Sequence, residues 1–157
     1  MDAIVAVYSD WGIGSDGTQP VVLKADRSHF VELTRGRTVI VGRRTLADFP
    51  GGRPLKYRRN IVITRQNIEI EGAEIVHGAD AAISLCRGDA MVLGGASVFK
   101  EFFRFLDRVF VTKIDCCPES DCFFPNLDDD PDWVLAESGE TLHEGDIAYR
   151  FLRYERK

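Results

Sequence analysis

Apolar and polar positions along the chain follow two periods in turn. Short β-branched and aliphatic runs at residues 4–8, 38–41, 60–64 and 91–93 are bounded by turn-forming or charged residues and predict buried strands. Between and after them, residues 24–34, 43–49, 80–86 and 97–106 space their apolar side chains as helices do. Strand and helix in alternation predict βαβ crossovers, hence a largely parallel sheet with helices on both faces. After an apolar run at 108–114 the pattern changes. Residues 133–137 and 147–154, separated by a glycine-containing segment, predict an antiparallel pair that closes the sheet. The fold class expected is α/β: one domain over residues 1–157, its mostly parallel central sheet of about eight strands flanked by helices, with the last strands antiparallel.

Composition narrows the function classes. At 157 residues, 45% hydrophobic and 29% charged, the chain is an ordinary globular domain, neither disordered nor fibrous. The net charge of -5 argues against a nucleic-acid or anionic-membrane surface. Met1-Asp2-Ala3 lacks a basic leader, and the first apolar run ends at Tyr8-Ser9-Asp10, too early for a signal peptide or membrane span, so a cytoplasmic location is expected. Cys116, Cys117 and Cys122 crowd one stretch and Cys86 stands apart, without the paired spacing of zinc ligands, so reduced thiols and no metal are expected. Two stretches are irregular. Residues 9–20, with Trp11, Gly12, Gly14, Gly17 and Pro20, follow the first strand where α/β sheets bind ligands, a natural place for a lid; residues 116–132 end in a solvated run, Asp128-Asp129-Asp130-Pro131-Asp132.

Three features carry candidate chemistry. Leu23, Asp26, Phe30 and Leu33 fall on one helical stripe, so a carboxylate interrupts an apolar face and needs a compensating donor, unless it caps the helix N-terminus. Gly94-Gly95 ends a buried strand and opens a helix at Ala96-Ser97, a turn suited to a pyrophosphate or to tight packing alone. Val41-Gly42-Arg43-Arg44-Thr45 and Thr64-Arg65 place basic residues at two more strand ends, either as a clamp for a phosphate monoester or as solvated surface charge.

Taken in order, these motifs resemble dihydrofolate reductase: Ile4-Val5-Ala6, Gly12-Ile13-Gly14, Leu23-Lys24-Ala25-Asp26 with Phe30, Val41-Gly42-Arg43-Arg44-Thr45, Arg53-Pro54-Leu55 with Arg58-Arg59-Asn60, Leu93-Gly94-Gly95 and Val111-Thr112-Lys113-Ile114-Asp115. The resemblance runs from residue 4 to 125 and more weakly through the last strands. It implies hydride transfer from NADPH to C6 of dihydrofolate with protonation of N5, in one-carbon metabolism. Asp26 and Thr112 would be the catalytic pair. Ile4, Val5, Arg27, Phe30, Phe49, Leu55, Arg58 and Leu93 would complete the substrate site, Arg58 meeting the glutamate tail. Ala6, Ile13, Gly14, Gly42, Arg43, Arg44, Thr45, Thr64, Arg65, Leu93, Gly94, Gly95, Ala96, Ser97, Val98 and Phe99 would bind NADPH, and antifolate inhibitors and a monomeric chain are implied as well.

Two positions depart from the family pattern. Val21 stands after Pro20, where the family carries a tryptophan, and Arg27 follows the carboxylate, where an apolar residue is usual. Both predict reduced antifolate sensitivity. Two other readings compete: an NADPH-dependent reductase of a riboflavin-pathway pyrimidine, and a non-catalytic NADPH-binding module.

Overall fold

The computed structural model describes residues 1–15, 19–86 and 88–157; Gly17 of the first irregular stretch lies outside them. Among the described residues, eleven strands and four α-helices follow in the order β1 (Asp2–Val7), β2 (Gly12–Gly14), α1 (Lys24–Thr34), β3 (Thr38–Gly42), α2 (Arg43–Ala47), β4 (Arg59–Ile63), β5 (Ala73–Val76), α3 (Ala79–Leu85), β6 (Met91–Gly94), α4 (Ala96–Phe102), β7 (Arg108–Ile114), β8 (Cys122–Phe123), β9 (Trp133–Ser138), β10 (Leu142–Glu144) and β11 (Ile147–Arg156). The main sheet runs β10-β11-β7-β1-β6-β3-β4-β5, with β9 also paired to β11, so nine strands fill eight positions. β1, β3, β4, β5, β6 and β7 are parallel, and β11 runs antiparallel to β7, β9 and β10.

The central parallel strands β1, β3, β4 and β6 carry mostly apolar residues because both faces are covered. On one face Ile4, Val39, Val41, Val62, Met91 and Leu93 pack with Leu46 of α2 and with Phe30 and Leu33 of α1. On the other, Ala3, Val5, Ile40, Ile61 and Val92 pack with Ala79 and Ala82 of α3 and with Val98, Phe99 and Phe102 of α4. No described helix is long and apolar enough to cross a membrane.

Several boundaries differ from those the periodicity predicts. α2 stops at Ala47, and beyond α4 residues Phe103–Phe105 form a 3-10 turn where a longer helix is expected. β5 and β10 lie outside the predicted strands. β5 is a four-residue edge strand whose exposed Glu74 pairs with Arg59, so it has no apolar run to reveal it. The irregular stretches are joined: Gly12 and Gly14 of β2 pair with Phe123 and Cys122 of β8. Acidic residues of the second stretch satisfy donors near and far, Asp130 accepting from the Asp132 N–H at 2.9 Å and Asp128 from the Tyr154 hydroxyl of β11 at 2.7 Å. The four cysteines are free thiols.

At the sheet end opposite the strand C-termini, the Asp2 side chain is only 5% exposed. It accepts from Arg37 at 3.1 Å and from Arg108 at 2.9 and 3.2 Å, joining β1 to the start of β7 and the approach to β3. Asp2→Asn removes the charge both guanidinium groups share, and it is expected to lower stability by about 1–2 kcal/mol, since Arg37 and Arg108 can turn to water. Urea unfolding measures this, and turnover of the folded variant should match wild type.

Candidate active site

Six parallel strands deliver their C-terminal ends to one edge of the sheet, where open α/β folds bind ligands. Gly42 ends β3 and leads into Arg43 and Arg44, Thr64 and Arg65 follow β4, His77 follows β5, and Gly94-Gly95 joins β6 to α4. The glycines let these ends meet. A Cβ on Gly42 would lie 3.0 Å from Val98 and 3.6 Å from the Gly94 carbonyl oxygen, and one on Gly95 3.1 Å from the Thr45 hydroxyl. Gly94 has φ +108°, and a Cβ there would meet the Phe99 ring at 2.8 Å. The Gly94-Gly95 peptide is cis.

At the start of α4 the Phe99 N–H donates to the Gly95 carbonyl, while the N–H groups before it lie in the first turn and have no intrahelical acceptor. Arg43, Arg44, Arg65 and Ser97 are exposed, whereas Val98 and Phe99 are buried in the core beneath the turn. His77 holds the Thr64 carbonyl through Nδ1 at 2.8 Å. Close-set glycine backbone, free N–H groups and three exposed guanidinium groups fit an anionic dinucleotide with an extra phosphate.

The second half of the site lies on the α1 face. Asp26 does not cap its helix. The N-cap is Leu23, which has no capping side chain, and the Asp26 carboxylate instead accepts from the Thr112 hydroxyl at 2.6 Å, 86 residues away. Burial pushes this carboxyl above the ordinary carboxylate range, against the opposing effects of the Thr112 hydroxyl and the nearby His29. His29, three residues on, stacks on Phe151 with ring centroids 4.0 Å apart, and burial lowers its pKa. Strand pairing sets Thr112 beside Ala6 on one side and Phe151 on the other.

Ile4, Phe30, Phe49, Leu55 and Leu93 share one apolar cluster beside the carboxylate. Val5 is different: strand alternation sends its side chain to the opposite cluster, leaving only its backbone on this side. Arg58 turns its Nε to the Thr34 hydroxyl at 3.0 Å and an Nη to the Val31 carbonyl at 3.2 Å, bracing the end of α1. Arg27 is exposed. Ile13 is half-buried in β2 with its carbonyl accepting from the Gln19 amide at 3.4 Å, and Gly14 follows it in the same strand.

The motifs pass over four contributors. Tyr8, 1% exposed, donates its hydroxyl to the Val21 carbonyl at 3.2 Å and accepts the Val21 N–H at 3.1 Å. Glu144 accepts the first N–H groups of α1. His29 and His77 complete the set; of the four, only His29 is signalled in sequence, by its spacing from Asp26.

A parallel sheet with an anion cradle at its strand ends and a half-buried carboxylate on the helix packed against one face defines a nucleotide-dependent α/β enzyme. Comparison with known proteins specifies which. Residues 1–156 match the family model for dihydrofolate reductase, and the chain belongs to that family. It is similar to the dihydrofolate reductase of Bacillus subtilis, 35% identical over 98% of this chain and 93% of the relative, and to the type 3 enzyme of Salmonella typhimurium, 38% identical over 73% of this chain and 71% of the relative. Among solved structures it resembles the Enterococcus faecalis dihydrofolate reductase complexed with NADP(H) and RAB-propyl. That match has a TM-score of 0.86 and 29% identity, covering 99% of this chain and 95% of the other.

Proposed function

We propose that the protein reduces 7,8-dihydrofolate to 5,6,7,8-tetrahydrofolate with NADPH. The observation that carries this reading is the Asp26–Thr112 pair, 2.6 Å apart, with the carboxylate on the helical stripe it shares with Phe30 and Leu33. NADPH, held by the strand-end residues, would supply the hydride that C6 of the pterin takes. The protein's own task is orientation. Thr112 holds Asp26 in place, and the carboxylate accepts hydrogen bonds from the 2-amino group and N3 of the pterin, an amidine-like edge that one carboxylate matches with two bonds. By placing negative charge against that edge, Asp26 raises the proton affinity of the conjugated ring and favours protonation at N5.

Ile4, Phe30, Phe49, Leu55 and Leu93 exclude water from the ring, and Arg58 presents its charge to the glutamate tail. Gly94, Gly95 and the start of α4 receive the pyrophosphate, with Arg43, Arg44, Thr45, Thr64 and Arg65 at the adenosine phosphates. The chain acts as a single monomeric domain in the cytoplasm.

The test is direct: purified protein is mixed with NADPH and dihydrofolate and the nicotinamide absorbance is followed. Dihydrofolate-dependent oxidation supports the reading; NADPH binding without oxidation makes the protein a binding module instead, and oxidation with the pyrimidine alone makes it a riboflavin-pathway reductase.

Val21 and Arg27 reshape the pocket mouth and weaken antifolates such as trimethoprim. The paired replacement of Val21 by tryptophan and Arg27 by leucine is expected to tighten trimethoprim inhibition about tenfold, the scale of one well-buried apolar contact. An unchanged inhibition constant overturns this assignment.

A further inference from the structure

Helix α1 carries the substrate carboxylate, yet little in its own sequence fixes it in position. Thr34 is its one buried residue, its N-cap Leu23 offers no side-chain acceptor, and its last turn has no basic residue. Phe30 and Leu33 on its inner face are only partly buried against the sheet. Remote residues hold the helix at both ends. At the C-terminal end Arg58 donates to Val31 and Thr34. At the N-terminal end Glu144, the last residue of β10, accepts the Lys24 N–H at 2.9 Å through one carboxylate oxygen and the Ala25 N–H at 3.1 Å through the other.

Glu144 is itself well placed. Gly145, with φ +61°, begins the two-residue turn between β10 and β11, and Glu144 pairs with Ile147 across that hairpin. β11 continues to Phe151, which pairs with Thr112 and stacks on His29. A closed circuit results. Thr112 reaches Asp26 directly, and the strand carrying Thr112 reaches the start of α1 a second time through β11, the hairpin and Glu144.

We infer that Glu144 is a positioning residue for dihydrofolate: by accepting the first two N–H groups of α1, it sets the helix at the depth and rotation that bring Asp26 to the pterin edge. The carboxylate form is the one needed, and the two backbone donors hold Glu144 below the ordinary carboxylate range. The inference rests on the role proposed for Asp26.

The experiment measures KM for dihydrofolate, kcat, the NADPH dissociation constant and thermal melting for Glu144→Ala, Glu144→Gln and Asp26→Asn, together with the Glu144→Ala/Asp26→Asn double variant. Glu144→Ala is expected to raise KM for dihydrofolate about five- to tenfold with NADPH affinity unchanged, and Glu144→Gln, which keeps one acceptor oxygen, to recover part of the loss. In the Asp26→Asn background, Glu144→Ala should have little further effect, because both changes act on the same contact. A fall in melting temperature with KM unchanged for both Glu144 variants overturns the inference, as does full additivity with Asp26→Asn. If Asp26→Asn itself turns over dihydrofolate normally, the proposed role of Asp26 fails, whatever Glu144 does.

Discussion

Asp26→Asn is expected to lower kcat/KM for dihydrofolate by about 10²–10⁴-fold, the range seen when a positioned acid–base group is removed, while NADPH binds as before. The amide cannot accept two hydrogen bonds from the pterin edge as the carboxylate does, and it cannot raise the proton affinity of the ring. The cofactor cradle proposed at Gly42, Gly94 and Gly95 is built by other elements and should not respond. Equal loss of NADPH affinity would mean that Asp26 supports the fold instead. The same variant has a second signature. Burial raises the Asp26 pKa in the folded protein, so the folded state holds this proton more tightly than the unfolded chain does. Wild-type stability therefore falls as pH rises from the unfolded pKa through the folded one, and the asparagine variant escapes that loss. Without ligand, Asp26→Asn should be the more stable protein at about pH 7, its advantage shrinking as the pH is lowered through the folded pKa. Urea titrations at the two ends of that window check the sign.

Gly94→Ala is the second large effect. A side chain at φ +108° is strained whatever the space, and here the added methyl would meet the Phe99 ring at 2.8 Å. Phe99 is 5% exposed and packs edge-on against Phe124, so it has little room to yield. The expected cost is about 2–4 kcal/mol, with a weaker NADPH complex because the strand-to-helix turn must open. Gly36 provides the control. It has φ +74° with no atom within 4 Å of its Cβ position, so Gly36→Ala should lose only the backbone preference. Chemical denaturation and NADPH titration of both variants separate backbone strain from the Phe99 clash, and equal losses in the two would remove the clash as a cause.

Periodicity predicts the central strands, which are covered on both faces, and also β9 and β11, although β9 is exposed beyond Trp133. β1, β3, β4 and β6 form uninterrupted apolar runs, and α1 shows its stripe of Leu23, Asp26, Phe30 and Leu33. β5 and β10 escape prediction because they are edge strands of four and three residues, too short for an alternating pattern, and each carries a glutamate committed to a remote partner. β2 and β8 escape because their pairing joins segments more than a hundred residues apart, and no local pattern encodes a partner at that distance. The same limit applies to the site. Asp26 attracts notice as a carboxylate on an apolar stripe, but whether it caps its own helix or faces a pocket is decided by Thr112 and Glu144, both remote in sequence. Val5 shows the opposite case: neighbouring motif residues share a strand but not a face, and only alternation along β1 assigns Ile4 and Ala6 to the pocket side.

The anchoring of Val21 by Tyr8 has an evolutionary consequence. The buried phenol donates one hydrogen bond to the backbone of residue 21 and accepts another from it, so the chain before α1 is held whatever side chain that residue carries. Identity at position 21 is thereby freed from the demands of folding, and the rim of the pocket can vary under selection by inhibitors while the path of the backbone into α1 stays fixed.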